Sequence, residues 1–384
     1  MGAVMTRFLG TTTPLALASL LLLAATTVSV PASGALPGAT PDPIRRVQLT
    51  GPAGEVVRSA TVRLDDVPRS ARVADRTVMM RTTPFKMLGF TWSGAEPHVE
   101  VQTFTEGRWT PWQHVPSLTD GRPATGRGAS SLLWFGRSTA VRVRTEGARA
   151  LDVVLIDPGV LPGDDDAIAR PGSSVQARQR QQASAPRPAL LSRAAWNANP
   201  NWRNGKAFYL HKLKQVHVHH TATGNSYSRA DVPAILRGMY RYHTKTLGWF
   251  DIGYNFLVDR FGRAWVGRSG GANRLVRGAH TLGFNHLSVG IAMIGNLEGR
   301  QPWPDALTAV VKLAAWKLDR HERYALGQVT MISSGSDKYR EGKRVRLPAI
   351  DGHRDTNNTA CPGQRLYRQL PDIRSRAQRR IDHW

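Results

Sequence analysis

Val216-His217-Val218-His219-His220-Thr221-Ala222-Thr223 is the stretch on which the reading of this chain turns. Apolar and polar side chains alternate through His219, as they do along a β-strand, and small polar residues follow. Period two places His217 and His219 on one face of that strand and His220 on the other. Much later comes a second island, Gly352-His353-Arg354-Asp355-Thr356-Asn357-Asn358-Thr359-Ala360-Cys361-Pro362. Neutral imidazole and thiolate are preferred zinc ligands. One histidine of the first island, with His353 and Cys361, makes three protein ligands and leaves a fourth position for water, the arrangement of a catalytic zinc site. Which histidine binds stays open at this point. Cys361 is the only cysteine, so an intramolecular disulfide is excluded, and a metal would protect its sulfur.

Outward from these islands, residues 190–384 read as mixed α and β. Residues 252–258, 262–266 and 286–294 carry strand patterns. Ser228 is a candidate N-cap for a helix from about Ala230 to Leu247. A second helix runs from Asp305 to about Arg323, with Leu307, Val310, Val311, Ala314, Ala315 and Leu318 at helical spacing. Strands interleaved with helices predict a mixed α/β sheet covered by helices. The basic tail Arg374 to Arg380 reads as a solvated helix face. Residues 45–158 differ. Val99-Glu100-Val101-Gln102 and Ala140-Val141-Arg142-Val143-Arg144 alternate with period two, and Gly107, Pro111, Gly121 and Pro123 punctuate them. An all-β, sandwich-like accessory domain is the expectation. Its Trp109 and Trp112 either pack between sheets or stack on sugars. Residues 159–189, with Pro171-Gly172-Ser173-Ser174 and the acidic run Asp164–Asp166, read as a flexible linker.

The 384 residues are too many for one hydrophobic core, which agrees with two domains. Arg7 precedes an apolar run from Pro14 to Val30 and small residues at Ser33 and Ala35. This is the form of a signal peptide over residues 1–35, cleaved after Ala35, and predicts a secreted or wall-associated protein with no stable membrane insertion afterwards. Lys and Arg number 52 against 28 Asp and Glu, a formal charge of +24. Most of the surplus follows residue 190, where 31 basic residues face 13 acidic ones. Such a surface gathers near polyanions. In an exported protein these are anionic wall polymers rather than nucleic acid.

From Leu191 to about Leu370 the chain resembles the type 2 N-acetylmuramoyl-L-alanine amidase and peptidoglycan recognition protein family. The resemblance rests on ordered islands: Ser192-Arg193-Ala194-Ala195-Trp196, VHVHHTAT, Asp251-Ile252-Gly253-Tyr254-Asn255-Phe256, Gly262-Arg263-Ala264-Trp265, Gly278-Ala279-His280-Thr281, Gly283-Phe284-Asn285, Ser288-Val289-Gly290-Ile291 and the GHRD…CPG ending. It implies Zn2+ held by His219, His353 and Cys361, an active-site tyrosine at Tyr254 and a second polar catalytic position at Thr359. It implies hydrolysis of the amide between N-acetylmuramic acid and L-alanine of peptidoglycan. His280, Asn285, Trp265 and Arg268 read either as a groove for glycan and stem peptide or as hydrogen-bonding and packing residues near the sheet end. Asp351 and Asp355 read either as acceptors that orient His353 or as salt-bridge partners of the abundant arginines. Members that only recognise peptidoglycan typically lose the cysteine, which is kept here. A non-catalytic binding module and a zinc peptidase acting within the stem peptide are the alternatives. Animal members often carry a disulfide near the first ligand; its absence here is consistent with bacterial members.

Overall fold

The computed structural model describes residues 46–67, 72–74, 77–147, 149–165 and 185–384. The candidate export segment and most of the expected linker lie outside them. In the N-terminal half, β-branched and aromatic residues at alternate positions build five long strands. These are β1 (Arg58–Arg63), β2 (Thr77–Ser93), β3 (His98–Thr105), β4 (Leu133–Glu146) and β5 (Arg149–Asp157). They pair antiparallel in the order β1-β5-β2-β4-β3, and shorter strands complete a sheet of ten among the described residues. Alternation sorts the faces. Val101, Val141, Val143, Val153 and Leu155 fill the core of this all-β domain. Met87, Trp134, Val154 and Ile156 point the other way, into a second core shared with the C-terminal half. Arg142 and Arg144 lie 4.1 Å above the rings of Trp109 and Trp112, respectively.

The C-terminal half forms a mixed sheet. Its strands are β6 (Leu190–Leu191), β7 (Gln215–His220), β8 (Phe256–Val258), β9 (Ala264–Val266), β10 (Ser288–Met293) and β11 (Ile350–Gly352), in the order β6-β9-β8-β10-β7-β11. Only β8 and β9 pair antiparallel. Helix α1 (Asp231–Arg241) starts where Ser228 Oγ accepts from the Asp231 amide, and continues as a π-helical turn, Tyr242–Thr246. Helix α2 (Pro304–Asp319) opens on proline, whose missing N–H is no loss there. Helix α3 (Leu370–Asp382) is the basic tail. It is amphipathic: opposite the expected solvated face, Leu370, Ile373 and Ala377 pack in the core beneath α2. A hairpin of strands Gln328–Ile332 and Arg344–Pro348 goes beyond the sequence reading.

Val216 and Val218 of β7 point into the core with α2. By period two, His217 and His219 therefore point to the opposite face. That face meets α1 and, beyond it, the accessory sheet. The described residues from 46 to 384 belong to one compact unit. Tyr242 donates to the carbonyls of Phe90 and Ser130, both at 3.0 Å, and the Trp134 indole donates to Ser226. The first residues of the expected linker take part as well. Asp164 is buried and accepts two bonds of 2.7 Å from Arg237 of α1.

Candidate metal centre

Two neighbouring strand ends bring the two sequence islands together. β11 runs parallel to β7 with His217 beside Asp351 and Val218 beside Gly352, so His353 follows at the same sheet end as His219. Cys361 closes the loop after it, its sulfur 3.6 Å from His219 Nδ1 and 3.4 Å from the amide of His220. One ligand-type atom from each of His219, His353 and Cys361 lies within 4.8 Å of the others, and all three residues are buried. Neither ring nitrogen of His353 makes a hydrogen bond of good geometry. Buried polar atoms without partners are rare, and a metal ion held with His219 and Cys361 would take up one of these two. Two imidazoles and a thiol are also the donor set that suits zinc. The residues fit a metal.

The electrostatics agree in part. Burial, then the neighbouring His217 and His220, pushes His353 down to about 3. Burial and His353 hold His219 well below the usual histidine range. Both are therefore neutral, as ligands must be. Burial and Asp120 push the Cys361 thiol up; a bound metal cation would supply the opposite pull and favour the thiolate.

A layer of contacts holds these donors. His280 Nδ1 lies 3.1 Å from His219 Nε2, which leaves Nδ1 of His219 facing the centre. His280 is itself gripped between Gly278 and Gly290, where any Cβ would strike its ring. His217 pairs with Asp351 at 2.6 Å, and Gln215 donates to the same carboxylate. Asp355 accepts from the Gly352 amide and from Tyr367. Neither aspartate touches His353.

Tyr254 stands at the rim, its ring centroid 5.4 Å from that of His219. Its hydroxyl donates at 2.6 Å to Asp120, a residue of the accessory domain. The other oxygen of Asp120 lies 3.3 Å from His353 Nδ1 and 3.6 Å from His219 Nδ1. Burial lifts Asp120 to about 7 against the opposing hydrogen bond from Tyr254. Tyr254, Thr359 and Cys361 line one cavity together with accessory residues Glu96, His114 and Pro116 to Asp120.

Comparison with known proteins bears on this geometry. A family model described as N-acetylmuramoyl-L-alanine amidase matches residues 209–364. Peptidoglycan-recognition protein SC1a of Drosophila melanogaster is 32% identical over 182 residues, covering 47% of this chain and 83% of the relative. The chain belongs to the type 2 amidase and peptidoglycan-recognition protein family. Peptidoglycan-recognition protein SA of the same fly is 33% identical over 145 residues, 38% of this chain and 68% of the relative. The solved structure of Drosophila PGRP-LB is 28% identical and covers 47% of this chain and 91% of that one, with a TM-score of 0.37. Residues 41–187 match a model described as an Rv3811 N-terminal galactose-binding domain-like family.

Of the residues that the family resemblance singles out, His219, His353, Cys361, Tyr254 and Thr359 are gathered at one place. Thr359 Oγ1 accepts from the Cys361 amide at 3.1 Å. Of the four groove candidates, His280 packs behind His219 and the other three are held in contacts of their own. Trp265 is buried and donates to Asp259, Asn285 accepts from the amides of His280 and Thr281, and Arg268 donates to the Ile252 carbonyl. His280 lies beneath His219. None of the four lines the cavity at Tyr254. Asp120 escaped the sequence reading because Leu118-Thr119-Asp120-Gly121 has only the signature of a turn.

Proposed function

We propose that this chain is an exported zinc amidase that hydrolyses the bond between N-acetylmuramic acid and the L-alanine of the peptidoglycan stem. The observation that carries the reading is the convergence of His219, His353 and Cys361 beside Tyr254. His219, His353 and Cys361 would hold the ion, which when bound supplies Lewis acidity and a water acidic near neutral pH. The chain's own residues do the rest. The Tyr254 hydroxyl donates a hydrogen bond to the negative charge that builds on the scissile carbonyl oxygen. Thr359, on the same cavity wall, offers a second hydroxyl. His280 fixes the tautomer of His219. The basic surface of residues 190–384 holds the enzyme near anionic wall polymers, an attraction that salt weakens.

The test is mass spectrometry of purified peptidoglycan digested with zinc-loaded protein, beside a chelator-treated control. Stem peptides that begin with alanine, released only with zinc, are the expected products. Cuts inside the peptide would move the protein to the zinc peptidases. Binding without cleavage in both samples would make it a recognition module.

A further inference from the structure

The face of the centre left free by the three ligands is covered by the accessory domain. The segment from Pro116 to Ala124 crosses from one half of the molecule to the other and is fixed on both. On the accessory side Leu118 N–H donates to Ala129 and Ser131 N–H to Pro116. On the other side Trp249 Nε1 donates to the Arg122 carbonyl, and Ala124 N–H to Leu247. Gly121 lies against the Trp249 ring, close enough that an added Cβ would sit 3.2 Å from it. The effect of this clamp is to insert Asp120, 4% exposed, between the histidines and Tyr254.

The distances state what the carboxylate is doing there. With bonds of about 2.0–2.3 Å, two ligand atoms of a tetrahedral zinc site stand about 3.3–3.8 Å apart. Asp120 Oδ1 is 3.3 Å from His353 Nδ1 and 3.6 Å from His219 Nδ1, and Cys361 Sγ is 3.6 Å from that same His219 atom. These match three of the six edges of such a tetrahedron, and the donors of His219, His353 and Cys361 all lie within 4.8 Å of one another. A carboxylate acting as a base on a metal-bound water would stand one water further out. The second oxygen, Oδ2, meanwhile takes the hydrogen bond of Tyr254. The space that remains is about 230 Å3, below the roughly 300–1,000 Å3 of ordinary small-molecule sites.

We propose that Asp120 is a fourth metal ligand supplied by the accessory domain, which keeps the centre closed until substrate displaces the segment 116–124. This rests on the zinc amidase reading. Four protein ligands are the mark of a closed site, whereas catalysis needs one position free. Opening releases two things at once, the fourth coordination position and the Tyr254 hydroxyl.

The experiment compares the full chain with Asp120→Asn and Asp120→Ala, which leave no unpaired cation behind. Zinc affinity is measured by competition with a chromophoric chelator, and coordination by the visible absorption of the cobalt-substituted proteins. Turnover is measured on soluble muropeptides. Weaker binding is expected in Asp120→Ala, by at least the about 10- to 100-fold that loss of a more distant partner costs. The cobalt spectrum should change and turnover should rise. Equal affinity and equal spectra in all three proteins would overturn the inference while leaving the amidase reading intact. A loss of turnover with zinc still bound would overturn it too, because Asp120 would then be part of the catalytic machinery. Failure of the unmutated chain to bind zinc at all would sink the parent reading itself.

Discussion

Asp164 and Arg237 join the end of the accessory domain to α1 through a buried, two-pronged ion pair, both bonds 2.7 Å long. Replacing Asp164 by Asn keeps the shape and removes the charge. Arg237 would retain the carbonyls of Pro158, Gly159 and Trp196, but its positive charge would be buried without a partner. Breaking such a pair from one side costs about 3–5 kcal/mol. At about 2–4 °C per kcal/mol for a large domain, the melting temperature should fall by about 6–20 °C. The double variant Asp164→Leu with Arg237→Met removes both charges and should recover much of the loss, because apolar replacement of a whole buried pair is often neutral. The assay is a double-mutant cycle by urea unfolding, read by tryptophan fluorescence. A change under about 0.5 kcal/mol in Asp164→Asn, the range of an ordinary surface substitution, would refute the claim that this pair anchors the two halves.

Three other outcomes are expected. Tyr254→Phe should keep its metal and lower turnover by about a hundredfold or more; full activity would remove Tyr254 from the mechanism. Gly290→Ala drives a methyl group into the His280 ring, so zinc affinity should drop by about 10- to 100-fold, read by chelator competition; unchanged affinity would show that His280 does not orient His219. Lys317 is pushed down to about 7, chiefly by burial and then by Arg320 and Arg187, against about 10.4 in the unfolded chain. Between those values the unfolded chain binds more protons, so this residue makes stability rise with pH, and its penalty is complete below about 7. Lys317→Met should therefore be more stable at pH 6 by a few kcal/mol and lose that advantage by pH 10.5; parallel pH profiles of the two proteins would contradict this.

Much of the fold was legible because its signals are local. The apolar positions of α2 repeat at helical spacing, and the strand β7 alternates, so each could be read within a short window. Tail residues 374–380 show only one face of their helix for the same local reason. Their arginines dominate the window, while the buried side of α3 is carried by Leu370, Ile373 and Ala377, spaced three and four residues apart. The candidate donors could be narrowed by chemistry, because few roles explain a lone cysteine following a histidine-rich strand, and the family resemblance then picked His219 among the three histidines. Alternation could not choose between His217 and His219, which share a face. What separates them is a partner across the sheet: register places Asp351 beside His217, and the carboxylate takes that imidazole for itself.

Asp120 is the residue that no local signal could reveal. Its partners His219, Tyr254 and His353 follow only after the whole accessory domain, and its reach to them is set by packing rather than by pattern. Met87, Trp134, Val154 and Ile156 share one core with Tyr240, Tyr242 and Trp249, and that shared core fixes where the turn containing Asp120 arrives. A solvent-facing sheet would have shown polar residues at alternate positions of β5. Instead Val153, Val154, Leu155 and Ile156 are all apolar and buried, the sequence trace of a strand covered on both faces. That unbroken run is the one hint in the sequence that the accessory domain is docked on its neighbour. The motif residues specify which atoms can hold a metal; the apolar run in β5 decides which other atom is brought to meet it.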